Sequence, residues 1–234
     1  MLSIIVPVLN EAKNIGPLLK HIQDSLSKPQ ETELIVVDGG SNDNTLAIAD
    51  SFVEKVAYSL KTISSAPGRG TQMNIGAKQA NGSILYFLHV DSLPPEHFDA
   101  KINKYIAKGH LAGCFRMRFD DDHILLKFCQ WFTRINMKFC RGGDQSLFID
   151  AAKFEELGGY NETYGIYEDC EFTGRLYDAQ LGFVVIPDTV TTSARKYRTN
   201  GTWRLQYHFT VIHLKRFFGA GPEQLVNYYQ KYIR

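Results

Sequence analysis

Acidic side chains stand where apolar runs of this sequence end, and such residues can bind a cation or take a proton. Residues 84–90 are aliphatic, aromatic or β-branched apart from His89, and Asp91 follows them directly. This pattern predicts a buried central strand with Asp91 at its C-terminal edge, where open α/β sheets bind ligands. Two hypotheses stay open for Asp91. It either contacts a cation or substrate, or it caps the helix that begins near Pro95.

A second acid, Asp38, follows the strand-like run 33–37 and precedes two glycines. Its carboxylate could accept hydrogen bonds from N–H groups of a nucleobase, while the glycines would let the backbone approach a flat ring. We therefore expect Asp38 to contact a nucleobase. Ser41 or Asp43 is expected to cap the helix that follows.

Two basic segments could bind phosphate. Arg69 lies between two glycines at the start of a helical segment, where its guanidinium and the helix N-terminus would both favour an anion. A solvated arginine is the alternative hypothesis for this position. Residues 193–201 include Arg195 and Lys196 and end in glycine. This segment is predicted to be a loop that closes over a diphosphate.

A pair of acids late in the chain could supply a general base. Glu168 and Asp169 open a helix after the glycine- and tyrosine-rich segment 158–167. Acids in a first helical turn are favoured by the macrodipole, so capping is one explanation. The other explanation is that one of these carboxylates acts as a general base beside a sugar-binding site. The acids at 120–122 are not predicted to bind a metal, because three adjacent acids at a turn cannot all point one way.

The elements that must position these residues alternate between strands and helices in the first part of the chain. Strand-like runs at 2–8, 33–37, 56–58 and 84–91 are separated by helical patterns at 15–26, 43–52 and 70–80. This alternation predicts a mainly parallel, doubly wound sheet. The turn after the first run contains no glycine, so the GxGxxG motif of dinucleotide-binding folds is missing there.

Beyond Pro95 the pattern changes. A helix to residue 107 is followed by strands at 111–119, 146–149 and 183–186 and by C-terminal helices at 203–218 and 222–233. Residues 124–139 mix apolar, aromatic and basic side chains and are predicted to form a core helix. The alternative is a surface helix that touches a lipid or an apolar acceptor.

Composition bounds the function. The chain has 234 residues, 44% of them hydrophobic, and 26 basic against 25 acidic residues. This size and composition favour one domain, and the even charge, spread along the sequence, indicates neither a nucleic-acid footprint nor a polybasic membrane patch. The four cysteines lack CxxC spacing, which predicts reduced thiols and no zinc site. With no basic leader and no long apolar run, we expect a cytoplasmic protein that could still contact the inner membrane face peripherally.

Taken in order, these motifs resemble the inverting family 2 glycosyltransferases of the GT-A fold. The resemblance covers residues 2–201, and its specific part is the order of weak motifs: Val6-Pro7-Val8-Leu9-Asn10-Glu11, Asp38, Arg69, Asp91 and Glu168-Asp169. It implies one GT-A domain, with a nucleotide-sugar-binding half at 1–94, an acceptor and catalytic half at 95–201, and C-terminal helices at 202–234.

The resemblance also implies roles for single residues. Asp169 would be the base, with Glu168 as the fallback, and Asp91 would ligate Mn²⁺ or Mg²⁺ on the diphosphate. The expected contacts to the nucleotide sugar are Pro7, Asn10, Glu11, Asp38, Arg69, Asp91, Arg195 and Lys196. The expected acceptor-side residues are Asp144, Gln145 and Tyr197.

A finer resemblance is to compact bacterial members associated with arsenosugar biosynthesis, through residues 87–91, 143–145 and 193–195. The chain departs from the family pattern where Gly39 replaces an acid, where His89 replaces the first acid of Asp-x-Asp, and where the Gln-x-x-Arg-Trp motif of processive synthases is missing. The last departure favours addition of a single sugar.

The expected function is therefore transfer of a sugar from a nucleoside diphosphate sugar to the hydroxyl of a small-molecule or lipid-linked acceptor. A sugar nucleotidyltransferase is the nearest rival, but it usually carries a glycine-rich basic signature where this chain has Asn10 and Glu11. A non-catalytic nucleotide-sugar sensor is the other alternative, although a sensor has no need of a base.

Overall fold

The computed structural model describes residues 1–233. Its first part alternates strands and helices as the sequence predicts: β1 (Leu2–Val8), α1 (Ile15–Ser25), β2 (Thr32–Asp38), α2 (Thr45–Asp50), β3 (Ser59–Ser64), α3 (Arg69–Lys78) and β4 (Ile84–Phe87). A short 3₁₀ helix at Pro29–Glu31 precedes β2. The predicted strand 84–91 ends at Phe87, so Asp91 lies beyond the strand rather than on its last residue.

The second part mixes strands and helices of very different lengths. It contains β5 (Ser92–Leu93), α4 (Phe98–Ile106), β6 (Ala112–Phe119), α5 (Ile124–Phe132), β7 (Leu147–Asp150), α6 (Ala151–Glu156), α7 (Glu168–Asp178), β8 (Val184–Thr192), α8 (Arg195–Asn200), α9 (Thr202–Phe217) and α10 (Pro222–Tyr232). Two further 3₁₀ turns, Lys138–Cys140 and Gly143–Gln145, connect α5 to β7.

All strands join one mixed sheet in the order β3-β2-β1-β4-β7-β6-β8-β5. The pairs β1–β2, β1–β4, β2–β3 and β6–β8 are parallel, and β4–β7, β6–β7 and β5–β8 are antiparallel. The predicted α/β class with a mainly parallel sheet is therefore confirmed. The carboxyl ends of β1, β2 and β4 meet at one edge, because these strands run in the same direction.

Helices cover both faces of the sheet, which explains why β1 and β2 contain continuous apolar runs. All seven residues of each strand are buried. The helix α3 packs especially closely, since a Cβ added at Gly76 would lie 2.5 Å from Ile5 Cγ2 and 3.0 Å from Val37 Cγ2. The absence of a side chain at Gly76 thus sets the distance between α3 and the sheet.

Three predictions about elements were wrong. The strand placed at 56–58 lies at Ser59–Ser64, where an edge strand tolerates the polar residues that hid it from the hydrophobic pattern. The segment 193–201 contains the helix α8 instead of a loop. The segment 124–139 is not a core helix, because α5 ends at Phe132 and buries only Leu126.

Candidate active site

The candidate active site is a cleft of about 520 Å³ at the carboxyl ends of β1 and β4. The starts of α3, α7 and α8 and one face of α9 close its sides. Nine of the residues predicted from the sequence line it: Pro7, Glu11, Arg69, Asp91, Asp144, Asp169, Arg195, Lys196 and Tyr197. Residues that are up to 190 positions apart in the chain therefore converge on one space, as the predicted site requires.

Arg195 joins two acids at the donor side of this cleft. Its Nη1 and Nη2 donate to the two oxygens of Glu11 at 2.9 and 2.5 Å, and its Nε lies 3.2 Å from Asp91 Oδ2. Burial raises the pKa of Asp91, and the nearby acids Asp144 and Glu11 raise it further against the opposing charges of His89 and Arg195. The surroundings of Asp91 therefore favour a positively charged partner.

His89 links two more acids across the cleft floor. Its Nδ1 lies 3.4 Å from Asp144 Oδ1, and its Nε2 lies 3.7 Å from Asp169 Oδ2. Burial alone would lower the pKa of His89, but the hydrogen bond to Asp144 and the charge of Asp169 outweigh it and raise the pKa. A protonated imidazole here would hold both carboxylates in place by charge.

Glu168 differs from its neighbour Asp169, because it is fully buried and does not line the cleft. Its Oε1 lies 2.7 Å from Arg69 Nε, while Asp169 presents its carboxylate to the cleft. Burial raises the pKa of Glu168 to about 7, against the lowering effect of Arg69. Tyr167, just before this pair, has a left-handed backbone with a φ of 73°, which starts α7 abruptly at the cleft wall.

Asn10 and Asp38 both bond to the turn after β2 and do not line the cleft. Asp38 accepts hydrogen bonds from the backbone N–H groups of Gly40 and Ser41 and from Ser41 Oγ. Asn10 donates its backbone N–H to Ser41 Oγ, and its side-chain oxygen accepts from the N–H of Asn42. These contacts fix the turns after β1 and β2. Both residues therefore hold the backbone at the place where the nucleobase was expected to bind.

Gln145 is also turned away from the cleft. Its side-chain oxygen accepts from Arg141 Nη1 at 3.1 Å, and its side-chain nitrogen donates to the carbonyl of Cys140. Arg141 in turn contacts Cys114 Sγ at 3.1 Å and the carbonyl of Thr133 at 3.0 Å. Gln145 therefore anchors the segment between α5 and β7, and its neighbour Asp144 is the member of that segment that reaches the cleft.

Other cleft residues were not found from the sequence. Tyr167, Ile212 and His213 line the cleft, and Tyr167 Oη lies 3.2 Å from His213 Nδ1. The buried Gln72 also lines the cleft, and its side-chain nitrogen donates to the carbonyls of Val8 and Val37 at 2.8 and 2.7 Å. A C-terminal histidine had no motif to mark it, because only the packing of α9 brings it to this place.

The family described as Glycosyl transferase family 2 matches residues 3–153, more than half of the chain. The chain belongs to this family. The PGL/p-HBAD biosynthesis glycosyltransferase of Mycobacterium bovis is 30% identical over 195 residues, which cover 76% of this chain and 70% of that protein. The probable glycosyltransferase YdaM of Bacillus subtilis is 24% identical over 221 residues, covering 86% of this chain and 52% of that protein. The chain thus spans about half the length of the Bacillus relative.

Solved glycosyltransferases share the fold. The mannosyltransferase PcManGT from Pyrobaculum calidifontis, in complex with GDP-Man and Mn²⁺, superposes with a TM-score of 0.73 at 21% identity over 94% of this chain and 64% of that chain. TarS of S. aureus, in complex with UDP-GlcNAc, gives a TM-score of 0.66 at 20% identity over 82% of this chain and 58% of that chain. The family 2 glycosyltransferase therefore has the GT-A fold that the resemblance implied.

The residues around Asp91 suit a divalent metal that binds together with a diphosphate. Within residues 1–233, no group of three or more His, Cys, Asp or Glu side chains could hold a metal ion by itself. Mg²⁺-type ions are commonly held by one or two carboxylates together with substrate phosphates. Asp91, which is paired with Arg195 and has Glu11 and Asp144 near it, is the carboxylate here that could share an ion with a bound diphosphate.

Among residues 1–233, no helix is long and apolar enough to cross a membrane.

Proposed function

We propose that this family 2 glycosyltransferase moves one sugar from a nucleoside diphosphate sugar to a hydroxyl acceptor, with inversion at the anomeric carbon. The observation that carries the proposal is that Asp169, Asp91 and the cations Arg69 and Arg195 converge on one cleft. The solved relatives named above, in complex with GDP-Man and with UDP-GlcNAc, support a nucleotide-sugar donor.

Asp169 is the proposed general base. It lines the cleft and keeps part of its side chain exposed, so the hydroxyl of an acceptor could come within hydrogen-bond reach. As the hydroxyl oxygen bonds to the anomeric carbon, its proton passes to the Asp169 carboxylate, and the bond to the diphosphate oxygen breaks. One displacement of this kind inverts the anomeric centre and requires no covalent intermediate.

Glu168 is proposed as a positioning residue rather than the fallback base. Its carboxylate is fully buried and paired with Arg69, so an acceptor cannot reach it without opening the helix start. Its function would be to fix the Arg69 guanidinium at the cleft wall. A guanidinium held in this way is ready to bind phosphate oxygens, because less rotamer freedom is lost on binding.

His89 and Asp144 are proposed to orient the base. The imidazole stands between the two carboxylates, so it restrains Asp169 by charge while Asp144 restrains the imidazole. The replacement of the first acid of Asp-x-Asp by His89 then has a physical consequence. It puts a potential cation, instead of a second metal ligand, next to the base.

Positive charge on the donor side would stabilise the leaving diphosphate. Arg69, Arg195 and Lys196 line the cleft and can pair with phosphate oxygens. A Mn²⁺ or Mg²⁺ ion held by Asp91 would supply further charge that neutralises the diphosphate. His213 also lines the cleft, and burial lowers its pKa. A lowered pKa favours the neutral imidazole, which is the form in which histidine binds a metal ion.

The remaining assignments stay predictions from the sequence. Pro7 and Glu11, which line the cleft, are proposed to bind the nucleoside, and Asp144 and Tyr197 to bind the acceptor, which is a small molecule or a lipid-linked hydroxyl. Asn10 and Asp38 do not line the cleft and are proposed to hold the turns beside the nucleoside. Three further assignments also stay predictions from the sequence: addition of a single sugar, a cytoplasmic location and a place among the arsenosugar-associated members. The sugar nucleotidyltransferase hypothesis is dropped, because the chain belongs to a glycosyltransferase family.

A donor panel tests the proposal. UDP- and GDP-hexoses would be incubated with the protein and a set of hydroxyl acceptors, with Mn²⁺, with Mg²⁺ or with a chelator. We expect release of free nucleoside diphosphate that depends on the acceptor and on a divalent metal, and an inverted anomeric configuration in the product by NMR. Tight donor binding with no turnover for any acceptor would indicate the sensor hypothesis instead.

A further inference from the structure

Two helices of the second half carry apolar side chains that the fold leaves exposed. On α5, Ile124, Phe128 and Trp131 recur at helical spacing and point outward, and Phe132 extends the same stripe. On α9, an equivalent stripe begins with Trp203 and Tyr207 and ends with Phe217, which is 74% exposed. We call these two stripes the apolar face, defined by Ile124, Phe128, Trp131, Trp203, Tyr207 and Phe217.

The two stripes adjoin each other. The helices α5 and α9 are in contact, and the His123 ring meets the Trp203 ring edge-on with centroids 6.1 Å apart. The segment after α5 adds Met137 and Phe139, which are also exposed. A monomeric protein rarely exposes this many large apolar side chains together without an interaction partner.

Charge along the chain indicates which partner fits this face. The segments 123–143 and 189–222, which contain α5 and α9, hold no acidic residue, although the whole chain has 25. They hold four and six of its 26 Lys and Arg residues. Arg134, Arg204 and Arg216 form no ion pair with an acidic side chain within residues 1–233. Cations that have no acidic partner and lie on the same helices as exposed aromatic rings are complementary to an anionic, apolar surface.

We propose that the apolar face docks this protein on the surface of an anionic lipid bilayer. Helices with Trp, Phe and Leu on one side and Lys or Arg beside them lie in the membrane interface, and anionic lipids strengthen their binding. The face borders the active site, because α9 also lines the cleft through Phe209, Ile212 and His213. Docking would hold the cleft mouth next to the bilayer. This inference goes beyond the transfer reaction and does not depend on it.

Co-sedimentation of the full chain with lipid vesicles tests the proposal. The vesicles are phosphatidylcholine alone, or phosphatidylcholine with phosphatidylglycerol. Phe128→Ser/Trp131→Ser weakens the apolar contact, and Arg134→Gln/Arg204→Gln weakens the charge contact. Val53→Ser and Lys104→Gln are matched controls, since both residues are exposed and lie in other parts of the fold.

We expect the wild-type protein to sediment with the anionic vesicles and far less with the neutral ones. Each double variant should reduce the partition coefficient about tenfold, and the controls should leave it unchanged. Melting temperatures close to wild type would show that the variants still fold, as the exposure of the substituted side chains predicts.

Several results would overturn the proposal. One is the absence of sedimentation with anionic vesicles, and another is equal sedimentation with both kinds of vesicle. A third is unchanged binding by both double variants. A concentration-dependent dimer in analytical ultracentrifugation, abolished by Phe128→Ser/Trp131→Ser in a protein that does not bind vesicles, would assign the face to self-association instead.

Discussion

The two halves of the cleft hold their functional groups in different ways. At the ends of β1 and β2, where the nucleoside is proposed to bind, side chains bind the backbone: Gln72 joins the two strand ends, and Asp38 closes its own turn through the N–H groups of Gly40 and Ser41. On the catalytic side, His89 and Asp169 are held by contacts between charged side chains. The difference suggests a fixed frame for the donor and an electrostatically adjusted set of groups for the reaction.

The largest effect on donor binding is expected at Asp91. Asp91→Asn should lower the affinity for nucleoside diphosphate in the presence of Mn²⁺ on the order of a hundredfold, because a neutral amide replaces the carboxylate that is proposed to hold the metal. Titration calorimetry with Mn²⁺ and with a chelator would measure it. Asp188→Asn, which changes an acid paired with Lys101 far from the cleft, is the control. Equal Mn²⁺-dependent affinity in the Asp91 variant and wild type would remove the metal assignment.

The rigid frame can be tested by adding one methyl group. Gly76→Ala should lower the free energy of unfolding by about 1–3 kcal/mol, because the new Cβ would lie 2.5 Å from Ile5 in a buried layer. Gly174→Ala in α7 has open space around it and should instead raise stability by up to about 1 kcal/mol. Denaturant titration of both variants gives the comparison. A neutral Gly76→Ala would mean that the frame is less closely packed than the structure indicates.

A further prediction concerns the pH dependence of stability. The pKa of Glu168 is raised to about 7 from an ordinary value of 4.5, so the folded state binds this proton more tightly than the unfolded chain. The resulting stability is fully present below about pH 4.5 and is lost as the pH rises through about 7. The melting temperature of wild type should therefore fall between pH 5 and pH 8 relative to Glu168→Gln. Parallel melting curves for the two proteins across this range would contradict the raised pKa.

The sequence predicts the frame well, because that part follows from local patterns. The apolar runs of β1 and β2 and the helical spacing of α1 mark buried elements directly, and parallel strands bring Asp91 to the edge where the cleft lies. The start of β3 was placed three residues too early, since an edge strand needs no continuous apolar run.

The exposed side of α5 and the catalytic side of the cleft could not be predicted as well, because both depend on packing between distant segments. Hydrophobic spacing shows that α5 has an apolar side, but it does not show whether another element covers that side. The pairing of Glu168 with Arg69 and the position of His89 between Asp144 and Asp169 join segments that no local motif connects. The sequence ranks Asp169 above Glu168 as the base, but it does not show that Glu168 is fully buried and Asp169 lines the cleft.

The proposed role of Asp169 as general base is tested by measuring turnover and donor binding separately in Asp169→Asn. The amide keeps the size of the side chain but cannot take a proton, so kcat should fall on the order of a hundredfold or more, with donor affinity and melting temperature close to wild type. Asp178→Asn, the same change at the exposed end of α7, should leave all three values unaltered. Near-wild-type turnover in Asp169→Asn would contradict the account, because the carboxylate would then be no more than a helix cap.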